Sequence, residues 1–68
     1  MPSTAIAGIE YDKKAERLTV TFATGRVYQY VDVPPEVAAS FQSAFSKGAF
    51  FSGYIRDRYD FRKLTPVS

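Results

Sequence analysis

An α+β fold is predicted for this chain, a three-stranded antiparallel meander followed by two short helices packed on one face of the sheet. Three observations carry that expectation. Apolar and polar residues alternate across Arg17–Ala23 and run on through Arg26–Val33, either side of a turn at Ala23-Thr24-Gly25. Val33-Pro34-Pro35-Glu36 then ends the strands, because proline cannot donate to a sheet ladder and suits the first turn of a helix. Beyond it the apolar residues recur at helical spacing in two short stretches separated by Ser46-Lys47-Gly48.

The first strand is placed at Thr4–Asp12. Ile6 falls out of phase with Ile9 and Tyr11, which predicts a bulge or bend near Gly8. Asp12-Lys13-Lys14-Ala15-Glu16 is a connector of hairpin length. In the second strand Leu18, Val20 and Phe22 face the core. The third strand is ambiguous, since Arg26, Tyr28, Tyr30 and Asp32 share one face and Val27, Gln29, Val31 and Val33 the other. Either the valines enter the core and leave the tyrosines as an exposed stacking platform, or the tyrosines pack inward with their hydroxyls at the edge.

The first helix starts at the prolines, with Glu36 near the positive end of its dipole, and runs roughly ten residues with Val37, Phe41 and Ala44 or Phe45 along one stripe. Ser46 is the expected N-cap of the second helix. Phe50, Phe51, Tyr54 and Ile55 form its apolar face, and it ends near Arg56 to Arg58. Tyr59 to Leu64 is expected to be an ordered tail or a short strand, within a single domain of residues 4–64 that leaves 65–68 frayed.

With 68 residues and neither Cys nor His, the chain has no disulfide, no Cys/His zinc site and no Ser-His or Cys-His pair. Six Phe and five Tyr supply the apolar area that a core this small needs. The four glycines form no phosphate-binding loop, and the carboxylates lie mostly at turns and element ends. No enzymatic role and no cofactor are expected. The N-terminal residues lack the cationic and apolar regions of a secretory signal and no stretch is long enough to cross a membrane, so a cytoplasmic monomer without a membrane partner is expected.

Charge is unevenly spread. Residues 46–68 hold Lys47, Arg56, Arg58, Arg62 and Lys63 against Asp57 and Asp60, interleaved with Phe50, Phe51, Tyr54, Tyr59 and Phe61. Cations beside stacking aromatics are what single-stranded nucleic acid requires. Tyr28 and Tyr30 are the candidate stacking groups, with Lys47, Arg56, Arg58 and Arg62 as candidate phosphate contacts. The alternative is a protein-interaction or self-association module that uses the sheet's exposed face or edge.

Read in order, Leu18-x-Val20-x-Phe22, Gly25-x-Val27-Tyr28-x-Tyr30, Val33-Pro34-Pro35, Ser46-Lys47-Gly48, Phe50-Phe51 and Ile55-Arg56 resemble the KTSC domain. That module occurs at the C-terminus of some lysyl-tRNA synthetases and as a free-standing bacterial protein. Ser52 stands where the family's pattern often has Asn. The resemblance implies a module of this length whose suggested role, RNA binding, rests on the synthetase association. By position it points to Tyr28, Tyr30, Lys47 and Arg56, although Lys47 and Arg56 also suit a helix start and a helix end.

Overall fold

The structure is a computed structural model that describes residues 5–64. Its elements run β1 (Ile6–Asp12), β2 (Arg17–Phe22), β3 (Val27–Tyr30), α1 (Pro35–Gln42), α2 (Lys47–Phe50), a π-helical turn (Phe51–Ile55) and β4 (Phe61–Lys63). The strands form one antiparallel sheet in the order β1-β2-β3-β4.

Each hairpin is closed by its own local chemistry. Asp12 Oδ1 accepts from the backbone N–H groups of Lys14 and Ala15 at 3.1 and 3.2 Å, which turns the chain between β1 and β2. The β2–β3 turn is shut by Phe22 N–H donating to Arg26 O and by Gly25 N–H donating to Phe22 O, both at 2.9 Å. Gly25 has φ of 96°, a conformation that costs glycine little. The register of β1 on β2 shifts between Ile6 and Gly8, so the expected bulge is present and returns Ile6 to the face of Ile9 and Tyr11.

Register decides the ambiguous strand. Leu18 lies opposite Tyr30 and Val20 opposite Tyr28, so the tyrosines share the face of the buried Leu18 and Val20. The exposed tyrosine platform is therefore overturned. Tyr30 is only 2% exposed and Tyr28 is half-buried. The other face carries Glu10, Thr19, Thr21, Val27, Gln29 and Arg62 in register, a largely polar surface turned from the helices.

Strand β3 also ends sooner than alternation suggests. Asp32 takes φ of 56°, and Val33 leaves the sheet to donate its N–H to Glu16 O at 2.9 Å and bury its side chain. The free edge of β3 is covered by β4, the fourth strand, where Phe61 pairs Tyr30 and Arg62 pairs Gln29. The expected tail at 65–68 and the strand start at Thr4 lie outside the described residues.

Helix α1 has Pro at its first position and Glu36 in its first turn, as expected. It stops at Gln42, earlier than its apolar spacing suggests, with Ser43 Oγ donating to Ala39 O at 2.9 Å. Consequently Ala38 and Phe41 are buried, whereas Phe45, beyond the helix, is fully exposed. Ser46 caps α2, its Oγ accepting from Ala49 N–H at 3.2 Å. The second helical segment then widens into the π-turn, burying Phe51 and Ile55 while Tyr54 stands 56% exposed. The buried core is Leu18, Val20, Tyr30, Val33, Ala38, Phe41, Phe51 and Ile55. Among the described residues no helix is long and apolar enough to cross a membrane.

Candidate nucleic-acid interface

Where β3 and β4 meet the end of the π-turn, the core opens into a groove of about 480 Å³. Its floor is aromatic. Tyr30 meets Phe51 edge-on with ring centroids 5.5 Å apart, and Phe51 meets Phe22 at 5.3 Å. Phe22 in turn meets Tyr28 at 5.6 Å, and Phe61 on β4 leans over both tyrosines at 5.3 Å. Edge-to-face contacts of this kind hold rings in fixed orientations and contribute beyond simple burial. Phe61 remains 52% exposed at the mouth of the groove.

The rim comes from two turns. Thr24 and Arg26 reach it from the β2–β3 turn, and Arg56 and Asp57 from the end of the π-turn. Arg26, Arg56 and Asp57 are all exposed. Arg56 N–H donates to Phe51 O at 2.9 Å, a bond that spans five residues. A π-turn accommodates one more residue than an α-turn, so this wider turn keeps Phe51 and Ile55 in the core while carrying Arg56 and Asp57 to the rim.

Burial raises the pKa of the Tyr30 phenol to about 12, with Tyr28 adding to the rise, Arg56 opposing it and Asp57 reinforcing it. At physiological pH the hydroxyl is therefore neutral. A neutral phenol can donate or accept a hydrogen bond and carries no charge.

Of the six candidate residues, Tyr28, Tyr30 and Arg56 converge on this groove. The other three stand elsewhere. Lys47 donates from Nζ to Ala44 O at 3.4 Å beside the start of α2. Arg58 lines a second groove of about 350 Å³ with Glu36, Val37, Phe50, Tyr54 and Tyr59. Arg62 lies opposite Gln29 on the sheet face turned from the helices. Sequence reading missed Arg26 and Asp57 as rim groups and Phe61 as the leaning ring. A signal for Arg26 was present, since it alternates in phase with Tyr28 and Tyr30. None marks Asp57, whose position depends on the π-turn. Among the described residues no group of three or more His, Cys, Asp or Glu is placed to hold a metal ion.

Comparison with known proteins gives a consistent set of relatives. The model of the KTSC domain matches residues 2–59. A lysine–tRNA ligase of Nostoc punctiforme is 37% identical over 60 residues, a match that takes in 88% of this chain and 11% of the ligase. A protein of Tsukamurella paurometabola is 37% identical over 57 residues, with 84% of this chain and 85% of that protein covered. The crystal structure of a KTSC domain protein from Yersinia pestis superposes with a TM-score of 0.84 at 38% identity, covering 94% of this chain and 90% of that one. The chain thus spans a small part of the ligase and most of the two shorter relatives.

Proposed function

The chain belongs to the KTSC domain family, and from that premise we propose that it is a small non-enzymatic module that binds single-stranded RNA in the groove between β3–β4 and the π-turn. The observation that carries this reading is the arrangement of two guanidinium groups, Arg26 and Arg56, around an aromatic floor with one ring half open to solvent. A base stacks on Phe61 and the adjoining Tyr28, while the flanking phosphates meet the arginines. Stacking of this kind is worth about 1–3 kcal/mol per base, and arginine recognises phosphate through its planar fork of donors. Tyr30, almost fully buried, braces the floor. Lys47, Arg58 and Arg62 add longer-range attraction for a polyanion without entering the groove. The ligases among the relatives act on tRNA, which makes RNA the natural polyanion and the cytoplasm the natural compartment.

Binding of a fluorescent single-stranded RNA, measured by anisotropy across a salt series, tests this. Arg56→Glu is expected to weaken binding at least about tenfold and to flatten the log–log salt slope by about 0.7, the share of one phosphate contact on a single strand. Arg17→Glu makes the same charge change at an exposed position of β2 outside the groove and is expected to leave the slope nearly unchanged. Equal losses from the two variants would mean diffuse attraction and no groove contact. The competing reading, a protein-interaction module, is favoured by Phe45, whose ring stands fully exposed beyond α1.

A further inference from the structure

Asp57 is a carboxylate in a groove whose other charged rim groups are guanidiniums and whose floor is aromatic. In a site built only to attract phosphate it would be a liability, because at short range it repels a phosphate about as strongly as Arg56 attracts one. The useful property of an ionised carboxylate here is that it only accepts hydrogen bonds, through two oxygens side by side. Among the four RNA bases, guanine alone presents two adjacent N–H donors, at N1 and N2, on its Watson–Crick edge. Adenine and cytosine each offer an exocyclic amine next to a ring nitrogen that is itself an acceptor. Uracil offers one N–H flanked by two carbonyl oxygens, both of which the carboxylate repels.

We infer that the groove, on the RNA-binding reading above, is selective for guanine, with the base stacked on Phe61 and Tyr28 and Asp57 accepting from N1–H and N2–H. Single-stranded RNA exposes that edge for direct reading. Both Arg56 and Asp57 act electrostatically on the Tyr30 hydroxyl at the floor, so the charged pair bears on the interior of the groove as well as its outer lip. Arg56 and Asp57 then divide the work, the first taking phosphate and the second the base edge. Their adjacency at the end of the π-turn sets the distance between the two functions.

The test compares a uridine hexamer with an alternating guanosine–uridine hexamer, each fluorescently labelled, at one fixed salt concentration. The alternating oligomer is expected to bind about tenfold tighter or more, the range a good bidentate base contact provides. Asp57→Asn replaces one acceptor with an amide donor that opposes the guanine N–H groups. It is expected to cut the ratio to within about twofold, because the guanosine oligomer loses its base contact while the uridine oligomer, freed of the carboxylate's repulsion, binds tighter. Asp57 is exposed in a turn, and an unchanged thermal midpoint confirms that the variant is folded. Equal affinity of the two oligomers, or a ratio that survives Asp57→Asn, would overturn the selectivity and leave RNA binding standing. If neither oligomer binds the unaltered protein, both readings fall.

Discussion

Tyr11 shows how much one side chain contributes in a core this small. Its hydroxyl donates to Val33 O at 2.7 Å and ties the end of β1 to the segment between β3 and α1. Tyr11→Phe leaves that carbonyl without its donor and is expected to cost about 1–2 kcal/mol in denaturant unfolding. Phe41 is fully buried and touches Phe50 and Phe51, so Phe41→Ala is expected to cost about 3–5 kcal/mol. In a chain of 68 residues that loss is a large share of the total stability, about 3–10 kcal/mol on the usual per-residue range. Tyr30 gives a pH signature. Its pKa rises on folding from the ordinary 10.0 to about 12, so the neutral phenol favours the folded state. That contribution is complete below pH 10 and disappears as the pH climbs towards about 12. Between those limits the protein is expected to lose on the order of 2 kcal/mol more than its Tyr30→Phe variant in alkaline denaturation. Equal losses would show that the ring is more hydrated than the structure has it.

Among the elements, those with strong local chemistry were legible in the sequence and those set by packing were not. The alternation of Leu18, Val20 and Phe22 identified β2, the phase slip of Ile6 identified the bulge, and the prolines and Ser46 marked both helix starts. The facing of β3 was not legible, because both its faces are half apolar. Packing of Tyr30 against Phe51 and Phe61 decided it. The π-turn was equally hidden, since Phe51 and Ile55 are spaced as they would be in an α-helix and the widening shows in the backbone bonding, as in the bond from Arg56 N–H to Phe51 O. Strand β4 is three residues long and takes its identity from the β3 edge it covers. Candidate residues chosen for charge alone therefore scattered over several surfaces, while the groove drew on the two turns that tertiary structure brings together. Two element-scale substitutions check the local arguments by thermal or denaturant unfolding. Gly25→Ala meets no atom within 4 Å, so an expected loss of about 1 kcal/mol comes from its positive φ alone. Ser46→Ala removes the cap on Ala49 N–H and is expected to cost about 1 kcal/mol.

For the whole molecule, the sheet has a covered face that supplies the aromatic floor and an uncovered face that is mostly polar. The groove lies where the covered face runs out, between the β2–β3 turn and the end of the π-turn. On the proposed reading, an aromatic groove and a few cations predict an affinity for RNA that is weak and strongly dependent on salt. Attached to a larger RNA-binding enzyme, a weak site gains through effective concentration and needs no high intrinsic affinity. That arrangement suits a module whose relatives include both stand-alone proteins and a small part of a ligase.

The most direct test of the groove as the RNA contact is a side-chain NMR titration with a single-stranded RNA oligomer, first at low and then at physiological salt. The rings of Tyr28 and Phe61 and the Nε–H groups of Arg26 and Arg56 are expected to shift together and to return towards their free positions as salt is added. Silent groove resonances, with shifts confined to Arg17 and Arg62 or to the exposed rings of Phe45 and Tyr54, would contradict the account and move the functional surface to another side of the molecule.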